Sequence, residues 1–183
     1  MGLYFMYNTR KYMNLYFYLH LTNKKNNSLK YAKRFAIEEK ENSTWVYLFG
    51  DRSSWDTTSA FVIGNVTKVP LKRFPVYYVP THCKRIVALS SIYASIFYEL
   101  GEVKYLCGID NIDYVINPAI TRMFENDSLV ELAKMPQLNI ERTVKLHPDI
   151  IFNFGMGLGL KDVDVKLAET KIPTAISVDH LEE

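Results

Sequence analysis

Between residues 34 and 83, short apolar runs alternate with polar breaks. The stretches 34–40, 44–50 and 59–64 are β-prone and are divided by Glu41-Asn42-Ser43 and by residues 51–56. This punctuation predicts an antiparallel meander, which 66–69 and 74–79 extend. From Lys84 the period changes. Residues 85–89 form a short apolar run, and 92–100 place Tyr93, Ile96, Phe97 and Leu100 at i, i+3, i+4 and i+7 before Gly101, the spacing of a helix with one apolar face. Further along, 105–109 predict a second strand, 118–124 and 128–134 short helical turns, and 140–146 a helix. The remaining expectations are a third strand at 149–154 with both faces buried, a helix at 163–170 and a fourth strand at 174–178. Strands alternating with helices imply a parallel sheet covered on both faces. The expected fold class is therefore α/β: a Rossmann-like lobe with a mostly parallel sheet and helices on both faces, preceded by a small antiparallel β segment. By this reading 1–33 are a basic leader and linker, 34–83 the N-terminal β segment and 84–183 the α/β lobe.

Composition changes the picture mainly by exclusion. A chain of 183 residues, 48% hydrophobic and 23% charged, is long enough to bury a sizeable core and is neither collagen-like, disordered nor disulfide-dense. Its charge is uneven: residues 1–40 hold eight Lys/Arg against two Asp/Glu, so the remaining fourteen Lys/Arg face eighteen Asp/Glu. An acidic body behind a basic leader argues against nucleic-acid binding, which spreads positive charge over a folded face. Cys83 and Cys107 stand without a second cysteine or a histidine at zinc spacing, so neither a disulfide framework nor a structural metal is indicated, and both read as apolar fillers. No window is apolar enough for a transmembrane helix. In the leader, Arg10 and Lys11 interrupt the aromatic residues. The longest uncharged run, 12–22, lacks a small-residue cleavage site, so the leader is a poor signal peptide, and no cysteine before Cys83 offers a lipid anchor.

Candidate chemistry lies in three loops that follow strand ends: Ser90-Ser91 with Tyr93, Asp110-Asn111-Ile112-Asp113-Tyr114, and Gly155-Met156-Gly157-Leu158-Gly159. In a doubly wound sheet such loops converge on one edge, where ligands bind. Ser90 or Ser91 also suits a helix N-cap. The glycine run either lets a ligand approach the backbone or makes a tight turn. With Asp179 it also resembles a dinucleotide fingerprint, but the third glycine should stand at 160, which is Leu. Neither a Gly-x-Ser-x-Gly elbow nor a Walker-type loop occurs. His20, His82, His147 and His180 are scattered and read as surface or loop residues.

The stretch Lys84-Arg-Ile-Val-Ala-Leu-Ser-Ser-Ile-Tyr-Ala-Ser-Ile-Phe-Tyr-Glu-Leu-Gly101 resembles the opening of the iron-siderophore and cobalamin substrate-binding proteins of ABC importers. Tyr105-Leu-Cys-Gly-Ile-Asp110 looks like that family's second strand. Leu138-Asn-Ile-Glu-Arg-Thr-Val-Lys-Leu-His-Pro-Asp-Ile-Ile151 is similar to its most specific motif, asparagine, x, glutamate followed by leucine, x, proline, aspartate. The likeness covers about 84–183, and 34–79 look like the extra N-terminal segment of a Bacteroides-like subgroup. In that family two α/β lobes joined by a long helix clamp a chelate, and the resemblance implies that this chain supplies the first lobe, with the second absent. It implies no catalysis and no resident cofactor. The expected ligand is a metal chelate (ferric siderophore, haem or cobalamin) held by Ser90, Ser91, Tyr93, Asp110, Asn111, Tyr114, Phe154, Gly155, Met156 and Gly157. Expected partners are the permease and ATPase subunits of the importer, with Glu141 docking the permease. The implied location is periplasmic or membrane-anchored, through the transporter or a lipid anchor that the leader lacks. The alternatives are a fragment of an NAD(P)-dependent Rossmann-type enzyme and a non-binding remnant of a truncated gene.

Overall fold

The structure, a computed structural model, describes residues 32–49, 57–64, 73–134, 137–155 and 165–177. Strands β1 (Phe35–Lys40), β2 (Ser43–Phe49) and β3 (Thr57–Gly64) pair antiparallel in chain order, with Lys40 opposite Ser43 across the Glu41-Asn42 turn. β4 (Val76–Val79) joins the same sheet but runs parallel to β3. The expected meander thus ends in a mixed sheet, because the chain returns by a crossover where a hairpin would have reversed it. The expectation at 66–69 lies outside the described residues.

Strand alternation gives this sheet two apolar faces. Trp45 and Tyr47 of β2 pack with Ala60 and Val62 of β3 and with Phe74 and Val76. Their rings stack at 5.8 Å, and Phe74 meets Tyr47 edge-on at 6.4 Å. The alternate positions, Val46, Leu48, Phe61, Ile63 and Val79, join the core of the second sheet.

That second sheet comprises β5 (Ile86–Leu89), β6 (Leu106–Ile109), β7 (Val130–Glu131), β10 (Ile150–Phe154) and β11 (Thr174–Ser177). The small antiparallel pair β8 (Ala133–Lys134) and β9 (Gln137–Leu138) intervenes in the chain. The order is β11-β10-β5-β6-β7 with every pair parallel. Both faces are buried. Ile86, Ala88 and Ile150 meet Tyr93 and Ala94 of α1 (Ser91–Glu99) and Ile120 of α2 (Pro118–Glu125). On the other face Val87, Cys107 and Ile151 meet Leu167 of α4 (Val165–Glu169) and Leu146, which follows α3 (Ile140–Lys145). Gly108 in β6 is fixed by this layer. A Cβ there would lie 2.7 Å from Leu132 Cδ1 and 2.9 Å from Leu146 Cδ1. The α/β class expected from the sequence is the one observed.

Two local expectations need correction. The apolar stripe of α1 that enters the core is Tyr93, Ala94 and Phe97, whereas Ile96 and Leu100 are 47% and 67% exposed. Ile92, Ile96 and Leu100 form an adjacent apolar stripe, so periodicity alone could not choose between them. The choice is made by Phe152, whose ring lies 6.3 Å from Tyr93 and 5.3 Å from Phe97. The second correction concerns 128–134, which form strands rather than a helical turn. Leu132 N–H donates to the Ile109 carbonyl at 2.8 Å and Ala133 N–H to that of Asp110 at 2.8 Å. These bonds to the end of β6 replace the local ones a helix would make.

The amino edge of the sheet is closed by a carboxylate. Asp149 Oδ2 accepts the backbone N–H groups of Lys84 at 2.7 Å and Arg85 at 3.0 Å, tying the start of β5 to the start of β10. From β5 the chain first builds outward through β6 and β7, then returns to the opposite side for β10 and β11. The order therefore reverses between β5 and β10, and the crevice at such a switch point opens at the strands' carboxyl ends.

Candidate functional site

The loops after β5, β6 and β10 leave the sheet at that carboxyl edge, on neighbouring strands about 4.8 Å apart. Ser90 is the N-cap of α1: its Oγ accepts the Ile92 N–H at 3.2 Å. Ser91 is half-buried, and its carbonyl accepts from Ser95 Oγ at 2.9 Å. Asp110 N–H donates to the Ala88 carbonyl at 3.3 Å, so the second loop departs beside the first. Asn111 Oδ1 accepts the Asp113 N–H at 2.8 Å and caps the short turn Ile112–Tyr114. Gly155 is buried, and its N–H donates to the Ser177 carbonyl at 2.8 Å, which fixes the residue after β10 beside the end of β11.

The structure therefore brings Ser90, Ser91, Asp110, Asn111, Phe154 and Gly155 to one edge of one sheet. Tyr93 differs, being 6% exposed and packed in the core against Phe152. Tyr114 stands 60% exposed at the rim. Met156 and Gly157 lie outside the described residues, as do Leu160 and Asp179, on which the dinucleotide alternative turns. Glu131, which sequence reading missed, belongs to the same rim: its Oε1 accepts the Ile112 N–H at 3.1 Å and orders the second loop. No local signal marks it, because it faces this loop only once 130–131 form a strand beside β6.

The described loops at this edge carry carboxylates, and the Arg142 guanidinium borders them, donating to the Glu131 carbonyl at 3.0 Å. Asp110 is half-buried, and its Oδ1 is shielded from solvent with no hydrogen-bond partner among the described residues. Burial pushes its carboxyl above the usual aspartate range. The backbone N–H groups of Asn111 and of Asp110 itself oppose that rise, and the Glu131 charge adds to it. Asp113 is a third carboxylate here. The segments 88–93, 109–117, 130–133 and 153–155 contain no Lys or Arg.

Elsewhere Cys107 is buried and Cys83 half-buried, with both thiols pushed up by burial, while His82 and His147 are exposed. Among the described residues no group of three His, Cys, Asp or Glu side chains could hold a metal ion, and no helix is long and apolar enough to cross a membrane.

A family model described as periplasmic binding protein matches residues 86–179, from the first residue of β5 past the end of β11. The chain belongs to the periplasmic binding protein family. The match takes in all three switch-point loops and leaves β1 to β4 outside it. Periplasmic binding proteins are solute-binding proteins and not enzymes. Among solved structures, the vitamin B12 binding protein BtuF of Vibrio cholerae aligns with a TM-score of 0.41 and 22% identity, over 52% of this chain and 34% of that one. A periplasmic heme binding protein from Pseudomonas aeruginosa aligns with a TM-score of 0.41 and 20% identity, over 52% and 31%. The apo heme-binding protein RhuT of Roseiflexus sp. RS-1 aligns at 0.41 and 22%, over 52% and 34%. The chain thus spans about a third of the length of each. No curated protein matches the sequence.

Within this periplasmic binding protein, Glu141 stands on α3, outside the three switch-point loops. Asn139, the N-cap of α3, accepts the Arg142 N–H on its Oδ1 at 2.9 Å, and Arg142 Nη1 donates to the Glu131 carbonyl at 3.0 Å. Glu141 is exposed in the first turn of α3, beside the edge strand β7 and two strands from β5.

Proposed function

We propose that the chain is the solute-binding component of an ABC importer, capturing a metal chelate (ferric siderophore, haem or cobalamin) without covalent chemistry and delivering it to the permease. The observation that carries this reading is the convergence of the Ser90-Ser91, Asp110–Tyr114 and Phe154-Gly155 loops at the switch point, inside the segment that matches the family. Small polar groups and one exposed aromatic ring suit a large, partly apolar chelate, offering a ring face and a few hydrogen bonds. By this reading residues 84–183 form one of two lobes, and the protein works at the outer face of a membrane, in the periplasm or anchored beside its transporter. Its partners are the permease and ATPase subunits, with Glu141 meeting arginines of the permease.

A thermal-shift series on the chain with ferric siderophores, haemin and cobinamides tests the reading. One chelate should raise the unfolding midpoint saturably, and weakly, because a single lobe desolvates only one side of the ligand. Saturable stabilisation by NAD with none by any chelate would overturn it.

A further inference from the structure

Between the two sheets lies an apolar groove of about 330 Å³, walled by Phe35, Val46, Leu48, Phe61, Ile63 and Phe152. Among the described lining residues only Arg34 is charged and only Ser177 is otherwise polar. The start of β1 and residues 175–177 of β11 both border the groove, and each of these strands is the last of its sheet among the described residues. A strand in that position presents a row of backbone N–H and C=O groups that can template another strand. The charges that would blunt β1 stand at its far end: Phe35, Ala36 and Ile37 are uncharged, and Glu38, Glu39 and Lys40 follow. Strand parity puts Phe35 and Ile37 on the groove side of the sheet, since Glu38 accepts from Tyr47 on the opposite face. Ala32, the first described residue, stands on the wall of the same groove.

Ahead of Ala32 the sequence holds a segment suited to that place, at 12–21, outside the described residues. Aliphatic or phenyl side chains occupy its odd positions, Met13, Leu15, Phe17, Leu19 and Leu21, and Tyr12, Asn14, Tyr16, Tyr18 and His20 the even ones. This is the period of a strand with one apolar face, whereas at helical spacing the same residues would scatter around the axis. A membrane-spanning helix needs about 20 apolar residues, far more than this run supplies. The intervening 22–31 are mostly polar and basic and reach up to about 33 Å, enough for the chain to reverse and return antiparallel to β1. We propose that residues 12–21 form an added strand on the outer edge of β1, antiparallel to it, with Leu15, Phe17 and Leu19 filling the groove between the sheets. The leader is then part of the fold, and its short tether favours this contact over one with a strand of another molecule.

The test is amide hydrogen exchange, read by mass spectrometry, on the full 183-residue chain. Peptides covering 12–21 should exchange at least about tenfold more slowly than in the denatured chain, as a hydrogen-bonded strand does, and those covering 22–31 should not. Phe17→Asp puts a charge into the groove and should remove the protection of 12–21 and lower that of β1. Peptides from β5, β6 and β10 should keep theirs, which separates loss of docking from loss of folding. Phe17→Ala should act in the same direction by less, and Tyr16→Ser, on the other face of the same strand, should leave protection in place. Exchange of 12–21 at the denatured rate, or equal loss in Tyr16→Ser and Phe17→Ala, overturns the docking. Protection of 12–21 that falls on dilution overturns it too, because a second copy would then supply the strand.

Discussion

Asp149 and Asp110 stand at opposite edges of the same parallel sheet, and the fold treats them in opposite ways. At the amino edge, Asp149 accepts two backbone N–H groups, at 2.7 and 3.0 Å, from residues 65 and 64 positions away in sequence, and so joins the starts of two strands. At the carboxyl edge, Asp110 has an oxygen that is hidden from water and unpartnered. Buried polar groups are almost always satisfied when their role is structural, and an exception calls for another explanation. The contrast separates an edge that holds the sheet together from the one proposed to meet a ligand.

Breaking the satisfied edge should cost most. Asp149→Ala strands the Lys84 and Arg85 N–H groups and loses two charge-assisted hydrogen bonds, so we expect a loss of about 2–3 kcal/mol in denaturant unfolding. A loss near zero would mean that water replaces the carboxylate and that the amino edge is no more closed than the other. Ser90→Ala probes the satisfied group within the carboxyl edge. Removing the N-cap should cost about 1 kcal/mol in thermal unfolding. If Ser90 also touches the chelate, affinity should fall beyond what the stability change explains.

The same contrast marks what the sequence could reveal. Alternation in β2, with Trp45 and Tyr47 against Val46 and Leu48, and the βα spacing from Arg85 to Gly101 are local patterns, so the two-sheet organisation and the position of the three loops were legible. The face of α1 was not, because two apolar stripes run side by side on it and only Phe152, 55 residues beyond the Phe97 ring it meets, selects one. The strands at 130–134 were missed for a similar reason: Leu129 and Leu132 have helical spacing, but their segment is held by β6. In the candidate site, residue types and loops were readable, and Tyr93's burial was not. Nor could any sequence pattern show that one oxygen of Asp110 is buried without a partner among the described residues, since that depends on what the other elements bring near it.

Asp110→Asn should have a smaller effect on folding than either change above, and of opposite sign at neutral pH. Its folded-state carboxyl lies above the usual value of 3.8, chiefly through burial. The folded chain therefore holds that proton more tightly than the unfolded chain does. Stability from this group is fully present below 3.8 and is lost as pH rises through the raised folded value. The Asn variant lacks that loss, so its unfolding midpoint relative to wild type should climb across this window and level off above it. A constant difference from acid to neutral pH would show that burial does not disfavour the Asp110 carboxylate and would erase the contrast between the edges.

Glu141→Lys should perturb the fold least and test a third surface, on α3. Glu141 is exposed in the first turn of α3, where its negative charge favours the helix by about 0.5 kcal/mol and reversal should cost no more than about twice that. Because it sits beside β7, two strands from the first strand of the switch point, chelate titrations should be unchanged in the variant. If Glu141 docks the permease, importer-dependent uptake of the chelate should nonetheless be abolished, because a lysine facing arginines replaces attraction by repulsion. Uptake at the wild-type rate would reduce Glu141 to a helix-start residue. Weakened chelate binding would instead place it within reach of the ligand and extend the ligand-facing rim from Glu131 in β7 onto α3.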